Sequence, residues 1–257
     1  MSQELVNKRG YERASTARDY TRDVLYAAEV LILVKHREEI LGRRVLDIGC
    51  GAGRTTPCLR RLASDYIGID YSDVMLEYCL RRCGHARCIK CDVRDMNVFE
   101  DESFDFALFS YNGLDSLEHN DRLKALTEIH RILAPGGLFV FSSHNRRFTG
   151  AEARPSVERT DDPVLWAKHA WKFVKCAWRH SSKRREEMRT DEYAVLNDRA
   201  HNFAFLLYYI NRDQQAEQLR RIGFVVEELY SKTGEVLGDG DDDTDTGWIY
   251  YVARKSK

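Results

Sequence analysis

The chain lacks a hydrophobic run long enough to cross a membrane and lacks an excess of charge of either sign. Its 257 residues include 40 Lys and Arg against 41 Asp and Glu, for a formal net charge of -1. Such a chain has no global attraction for nucleic acid or for an anionic membrane, so neither is expected as a partner. The polar N-terminal stretch also lacks the apolar core of a secretory signal. These absences predict a soluble cytoplasmic protein.

The chain also lacks the pairing expected of a disulfide framework. Its seven cysteines are an odd number, and no secretory signal accompanies them. The stretch "CLRRCGHARCIKC" (79–91) gathers four of them and suggests a zinc site. Cys88 and Cys91, however, fall in a predicted strand, where residues three apart point to opposite faces. We therefore expect buried thiols and no metal site.

Strand-length apolar runs alternate with segments of helical period along the first half of the chain. This alternation is typical of a doubly wound α/β protein, in which helices cover both faces of a mostly parallel sheet. The predicted strands are 44–49, 66–70, 87–92, 104–111 and 137–144, and the predicted helices are 55–62, 72–82 and 122–133.

The regular alternation stops after residue 144. Residues 145–211 read as a helical and extended insertion, in which aromatic residues recur at helical spacing from Trp166 to Trp178. A closing helix and two strands follow. We therefore divide the chain into an N-terminal helical segment (1–40), a core (41–144), the insertion, and a closing part of the core (212–257).

A glycine-rich turn follows the first predicted strand, in "VLDIGCGAGRTT" (45–56). Glycine permits positive φ and close approach of a ligand to the backbone, and a helix N-terminus follows the turn. The spacing departs from the dinucleotide fingerprint because Arg54 stands where its last glycine would be, and no P-loop Gly-Lys-Ser/Thr is present. Two acids, Asp70 and Asp92, come at the ends of the next two strands. A carboxylate at such a strand end can accept both hydroxyls of a ribose.

The chain resembles the class I S-adenosylmethionine-dependent methyltransferases. The resemblance rests on five segments spaced as in that family between residues 45 and 143: "VLDIGCGAGRTT", "YIGIDYSDVML", "IKCDVRDM", "FDFALFSYNGLDSL" and "RILAPGGLFVFSS". It implies a seven-stranded sheet whose last strand is antiparallel, with "FVVEELYS" and "GWIYYVARK" as the closing pair. It also implies S-adenosylmethionine as cofactor and S-adenosylhomocysteine as product.

The resemblance assigns cofactor-binding roles to thirteen positions. Asp47 and three glycines would line the methionine moiety, and Asp70 would take the ribose hydroxyls. The adenine would lie beside Tyr71 and Met75, close to the strand end that carries Asp92. The full implied set is Tyr20, Asp47, Gly49, Gly51, Gly53, Asp70, Tyr71, Met75, Cys91, Asp92, Val93, Ser110 and Tyr111.

The acceptor is expected to be a small molecule methylated on oxygen or nitrogen. No Asn-Pro-Pro-Tyr or Asp-Pro-Pro-Tyr follows the fourth strand, which sets aside the family members that methylate exocyclic base amines or glutamine amides. His144 and His119 are candidate general bases because they lie at the strand ends where ligands bind, and Tyr111 could orient the acceptor. The insertion would form a lid over the acceptor. Its aromatic residues could line that lid or could only pack the insertion against the core; they are Trp166, Trp171, Tyr193, His201, Phe203, Phe205 and Tyr209.

Two other functions remain open from the sequence. The basic and aromatic segment 168–189 could serve an RNA or protein methyltransferase. The chain could also be a binding module that holds the cofactor without turnover. A homodimer is left open as well.

Overall fold

The computed structural model describes Gln3, Asn7 and residues 24–152, 154–199 and 202–256. Tyr20, predicted to contact the cofactor, and most of the segment 1–40 lie outside these residues.

One ten-stranded sheet organises the described chain, with the strand order β3-β2-β1-β4-β5-β8-β7-β6 and with β10 and then β9 on the other edge of β5. The strands are β1 (Arg44–Ile48), β2 (Asp65–Asp70), β3 (Cys88–Lys90), β4 (Phe104–Phe109), β5 (Leu133–Asn145), β6 (Met188–Arg189), β7 (Tyr193–Leu196), β8 (Leu207–Ile210), β9 (Phe224–Ser231) and β10 (Trp248–Lys255). The strands β1 to β5 are mutually parallel, and β10 is antiparallel to both β5 and β9. The predicted α/β fold with an antiparallel last strand is therefore confirmed.

Seven α-helices are present in the described residues. They are α1 (Ala27–Lys35), α2 (Arg37–Ile40), α3 (Thr56–Leu62), α4 (Asp73–Cys83), α5 (His119–Ile132), α6 (Pro163–Lys183) and α7 (Arg212–Ile222). Short 3-10 turns occupy Gly113–Ser116 and Arg184–Glu186. The helix predicted over 122–133 starts three residues earlier than expected, and β5 begins directly after it.

Side chains of β1 alternate between the two faces of the sheet and so divide the core in two. Leu46 and Ile48 join the cluster that contains α5 and α7, whereas Val45 joins the cluster that contains α1, α2 and α3. Asp47 lies between these apolar positions and is almost fully buried. The sequence places a carboxylate inside the sheet at the point where the glycine turn begins.

The insertion continues the sheet instead of forming a separate domain. Along one edge of β5, Phe141 pairs with the last residue of β4, and His144 and Asn145 then pair with Tyr209 and Ile210 of β8. The three strands β6 to β8 thus lie beyond the carboxyl end of β4. This accounts for ten strands where the sequence predicts seven.

A buried ion pair connects α5, β5, α7 and the 3-10 turn. Arg122 and Asp115 are both fully buried, with a guanidinium-to-carboxylate distance of 2.6 Å. Arg122 also donates to Gln215 of α7 at 2.5 Å and to Ser143 of β5 at 3.2 Å. These bonds satisfy two charges that would otherwise be costly in an apolar interior.

Replacing Arg122 with methionine should therefore lower the free energy of unfolding by about 3–5 kcal/mol, because Asp115 would remain buried without its partner. Urea denaturation measures the change. Lys124→Met is the matched control on the same helix, since Lys124 is 65% exposed and pairs with Asp121 at the surface. Equal midpoints for the two variants would contradict the assigned role of the buried pair.

Candidate functional site

An open cavity of about 840 Å³ lies at the carboxyl ends of β1, β2 and β4. Eight of the predicted cofactor residues line it: Asp47, Gly49, Gly51, Asp70, Tyr71, Met75, Ser110 and Tyr111. The turn from β1 into α3 and the segment after β4 form its opposite walls.

A second cavity of about 750 Å³ shares Tyr71, Ser116 and Leu117 with the first. It is lined by Cys91 and Asp92, two more of the predicted residues. The two cavities adjoin along Tyr71 and Leu117, so together they form one crevice over the ends of four parallel strands.

Two predicted residues lie outside both linings. Gly53 packs against α4: a Cβ added there would come within 2.9 Å of the Cys79 sulfur. Val93 packs against the apolar core on the side of α5. Both residues therefore pack on the side of their loops that faces away from the crevice.

Asp70 connects the glycine turn to the next strand. Its carboxylate accepts the Gly51 N–H at 3.0 Å and the Ser72 N–H at 2.9 Å. Burial raises the pKa of Asp70 to about 6, although the main-chain bonds from Ser72 and Gly51 favour the ionised form. A carboxylate has about four acceptor positions, so these bonds leave capacity for ligand hydroxyls.

Asp47 holds the turn from below. Its Oδ2 accepts the Thr55 hydroxyl at 2.7 Å and the Tyr66 hydroxyl at 2.8 Å. Burial raises the pKa of this carboxyl to about 7 despite those two hydrogen bonds. The crevice therefore contains two buried carboxyls that change charge near neutral pH.

Asp92 lies at the far end of the crevice and is partly exposed. Burial would raise the pKa of its carboxyl, but hydrogen bonds from Arg94 outweigh this and lower it. The Arg94 guanidinium donates to Oδ2 at 2.6 Å and to Oδ1 at 3.0 Å. Arg94 in turn reaches Asp121 at 2.7 Å, which fixes the arginine beside the cavity.

Arg54 and Glu29 form an ion pair at the other end, which the sequence did not predict. The Glu29 carboxylate is fully buried and lies 2.5 Å from one guanidinium nitrogen of Arg54, which lines the cavity. The Ser110 hydroxyl accepts from Arg54 at 2.7 Å and donates to Glu29. The positive charge of Arg54 is therefore neutralised by Glu29 in the wall of the cavity.

An aromatic cluster adjoins this pair. The rings of Tyr26, Tyr111 and Trp248 lie 5.2–5.7 Å apart, and the Arg54 guanidinium is 5.4 Å from the Tyr111 ring. The Lys232 ammonium lies 4.2 Å from the Trp248 ring centre. Of these five residues, the sequence predicted only Tyr111. Lys232 and Trp248 come 121 and 137 residues after Tyr111 in the chain, so no local motif could indicate them.

His144 is buried, and both of its ring nitrogens have partners. Nδ1 is 2.6 Å from the Asp115 carboxylate, and Nε2 is 3.2 Å from the Asn112 amide nitrogen. The Asp115 bond places a proton on Nδ1 and leaves the Nε2 lone pair to accept from Asn112. Asp115, which orients this imidazole, had no role in the sequence predictions.

His119 lies at the start of α5 among aromatic side chains of the insertion. It bonds the Tyr208 hydroxyl at 2.8 Å and stacks on Tyr193 with 4.3 Å between ring centres. Burial lowers its pKa, which favours the neutral imidazole. Neither His119 nor His144 lines the two cavities.

Three thiols meet beneath the glycine turn. The sulfurs of Cys50, Cys79 and Cys88 lie within 4.8 Å of one another, and those of Cys79 and Cys88 are 3.3 Å apart. The sequence grouped Cys79 and Cys88 but not Cys50, which comes from the turn itself. The thiols fill the space between the turn and α4.

The crevice fits an extended nucleoside ligand. At Gly51, where φ is +55°, an added Cβ would meet no atom nearer than 3.8 Å, so the missing side chain leaves open space above the turn. Buried Asp70 faces that space, and aromatic rings flank the opposite end. This combination is typical of Rossmann-like proteins that bind a nucleoside at the carboxyl ends of their strands.

Known proteins resemble this chain in sequence and in fold. Residues 46–141 match the model of a methyltransferase domain. The chain resembles the structure of a Mesorhizobium loti S-adenosylmethionine-dependent methyltransferase with a TM-score of 0.58, at 21% identity over 89% of this chain and 98% of that one. Residues 46–141 are therefore similar to a methyltransferase domain, and the chain shares the fold of an S-adenosylmethionine-dependent methyltransferase, in agreement with the predicted family and cofactor.

Individual relatives match over part of their length. A Mycolicibacterium smegmatis fatty-acid O-methyltransferase is 29% identical over 128 residues, or 48% of this chain and 45% of that protein. A Clavibacter sepedonicus demethylmenaquinone methyltransferase is 29% identical over 51% of each chain. The chain thus spans about half the length of these relatives. A Burkholderia thailandensis 1,6-didemethyltoxoflavin-N1-methyltransferase shares the fold, with a TM-score of 0.62 and 16% identity over 99% of this chain and 88% of that one.

Gly51→Ala should abolish most S-adenosylhomocysteine binding, because its methyl group would project into the cavity. Gly84→Ala is the matched control: Gly84 also has positive φ and open space around its Cβ position, but it ends α4 away from the site. Each variant should lose about 1–2 kcal/mol of stability from backbone strain. Isothermal titration calorimetry measures binding, and equal affinities for the two variants would contradict the assignment.

Proposed function

We propose that this protein transfers a methyl group from S-adenosylmethionine to an oxygen or nitrogen atom of a small metabolite and releases S-adenosylhomocysteine. The observation that carries the proposal is the continuous crevice from Asp92 past Asp70 to Tyr111. When bound there, the cofactor supplies an electrophilic methyl group on a sulfonium centre. The protein's contribution is then mainly alignment of two reactants.

The cofactor would lie along the crevice with its three parts against three sets of residues. The glycine turn and Asp47 would hold the methionine moiety, and Asp70 would accept the ribose hydroxyls. Asp92 would accept from the adenine amino group, with Cys91 beside it. Arg94 keeps Asp92 ionised and in place for this bond.

The aromatic cluster of Tyr26, Tyr111 and Trp248 is the proposed wall of the acceptor site. It adjoins the end of the cavity opposite Asp92, where the methyl group would be presented. Cations at Arg54 and Lys232 lie against its rings. Glu29 neutralises Arg54, whereas Lys232 has no acidic partner among the described residues; its positive charge near these rings favours an acceptor with an anionic or electron-rich oxygen.

The position of the insertion supports its role as acceptor lid. Its strand β8 pairs with the end of β5, beyond β4 and beside the turn Gly113–Ser116. Asn7 bonds both the Ser116 carbonyl at 3.0 Å and the Leu206 carbonyl at 2.8 Å, so the N-terminal part of the chain joins this turn to the insertion. The family match ends at residue 141, before the insertion. Acceptor specificity would therefore reside in this added segment.

A small-molecule acceptor is also supported by the relatives. The two bacterial relatives described above are named for a fatty acid and a demethylated menaquinone, both of which are small and lipophilic. To test the proposal, the protein would be incubated with methyl-labelled S-adenosylmethionine and either fatty acids and phenols, total RNA or a protein lysate. Label in the small-molecule fraction is expected. Label confined to RNA or protein would overturn the acceptor class, and cofactor binding without any transfer would indicate a binding module.

Cofactor affinity should fall as the pH decreases through about 6. Ionised Asp70 accepts the ligand hydroxyls, and its pKa is raised to about 6, so the bonds are complete above that pH and are lost below it. Calorimetry with S-adenosylhomocysteine from about pH 5 to pH 8 measures the effect. Asp92→Asn should leave the shape of the profile unchanged, because the pKa of Asp92 is lowered out of this range. A flat profile for the unmodified protein would contradict the role of Asp70.

His144→Gln distinguishes a base from a positioning residue. If His144 takes the acceptor proton, the variant should lose at least about 100-fold in kcat while KM is kept. If it only holds Asn112, KM should rise while kcat is kept. Tyr111→Phe is the companion variant: orientation of the acceptor by the Tyr111 hydroxyl predicts a raised KM with unchanged cofactor affinity.

A further inference from the structure

The insertion helix α6 exposes a row of large apolar side chains. The row, here called the tryptophan face, consists of Trp171, Val174 and Trp178, which are 73%, 56% and 70% exposed. Val164, 62% exposed, extends it toward the start of the helix. Tryptophan is normally well buried in a folded chain, and a contiguous exposed apolar patch is a feature of binding surfaces.

A basic stripe runs beside the tryptophan face. Lys168, Lys172, Lys175 and Arg179 recur at intervals of three or four residues and so share one side of the helix. No Asp or Glu occurs between Pro163 and Lys183. The stripe is therefore a positive surface without acidic neighbours on its own helix.

The remaining side of α6 attaches the helix to the insertion. Cys176 is buried, His180 bonds the Asn197 amide oxygen at 3.1 Å, and His169 bonds the Glu158 carbonyl at 3.0 Å. Asp162 caps the N-terminus by accepting the Val164 and Leu165 N–H groups. Because these contacts fix the rotation of the helix, the tryptophan face and the three lysines of the basic stripe are exposed, whereas Arg179 is half-buried and donates to the Asn202 carbonyl at 3.3 Å.

We propose that α6 binds the surface of an anionic lipid bilayer. The helix would lie in the plane of the interface, with the tryptophan face in the headgroup and upper acyl region and the basic stripe against lipid phosphates. Tryptophan beside lysine on one amphipathic helix is the composition that such helices use. Within the described residues, no helix is both long enough and apolar enough to cross a membrane, so attachment would be peripheral.

Two other occupants fit the surface less well. A second copy of the chain would bring another acid-free basic helix to the interface, with no carboxylate on α6 to complement either stripe. RNA would match the lysines and stack on tryptophan, but the aliphatic side chains of Val164 and Val174 would gain nothing from a nucleic acid. Both side chains are more than half exposed and would gain from burial in lipid.

Vesicle sedimentation tests the proposal with the full chain. Binding to phosphatidylcholine vesicles containing about one-quarter phosphatidylglycerol should exceed binding to pure phosphatidylcholine by about tenfold or more, and should weaken with added salt. Tryptophan emission should shift to shorter wavelength on binding. Indifference to vesicles, or equal binding to both compositions, would overturn the proposal.

Two double variants assign the effect to α6. Trp171→Ser with Trp178→Ser should abolish binding without unfolding the protein, since both side chains are largely exposed. Lys172→Glu with Lys175→Glu should remove the preference for anionic lipid. The matched control is Arg81→Glu with Lys124→Glu, which makes the same charge change at exposed sites on other helices and should bind normally.

The same variants separate the other occupants. Loss of a dimer in light scattering when Trp171 and Trp178 are replaced, with no effect on vesicles, would overturn the proposal in favour of self-association. If the protein binds RNA but not vesicles, the proposal would be overturned in favour of a nucleic-acid partner. Methyl transfer does not enter these measurements, so the proposed function and this proposal can fail separately.

Discussion

The buried carboxylate of Asp115 is the constraint on which the site depends. It receives the Arg122 guanidinium from α5, the Ser143 hydroxyl from β5 and the imidazole of His144. The main-chain carbonyl of the same residue accepts from Gln3 at 3.0 Å. A charge in this position is stable only with several donors around it, so the elements that supply them must meet at the turn after β4. That meeting point fixes Tyr111 and Asn112, which lie between the crevice and the insertion.

Buried carboxylates with several hydrogen-bond donors also hold the glycine turn, on the other side of the crevice. Asp47 and Asp70 are carboxylates of adjacent strands, and each accepts hydrogen bonds from the turn or its flanks. The turn is therefore held by groups that also face the ligand. Burial outweighs these hydrogen bonds and raises the pKa of both carboxyls. The two groups therefore ionise close to neutral pH. The carboxylates that support the turn are therefore the same groups that line the crevice.

Local sequence was sufficient for the parts of the site that follow directly from strand ends. The glycine spacing and the acids at the ends of β2 and β3 lie where the sequence predicted, because parallel strands bring their carboxyl ends to one edge. Glu29, Trp248 and Lys232 could not be predicted, since their neighbours come from distant segments through tertiary packing. The insertion differed in another respect: the sequence suggested aromatic residues lining the acceptor, whereas Phe205 and Tyr209 pack in its own core and Trp171 faces outward. A helical period reveals an amphipathic helix but not which side meets the protein.

The strand β5 joins two parts of the single sheet, the parallel core strands and the strands of the insertion. Its edge first pairs with β4 and then, at only two residues, with β8. Because the backbone pairing is limited to these two residues, a different hairpin could pair at His144 and Asn145 while the strands that carry the crevice stay intact. A change of acceptor would then require changes only in the insertion, while the crevice at the ends of the core strands stays the same.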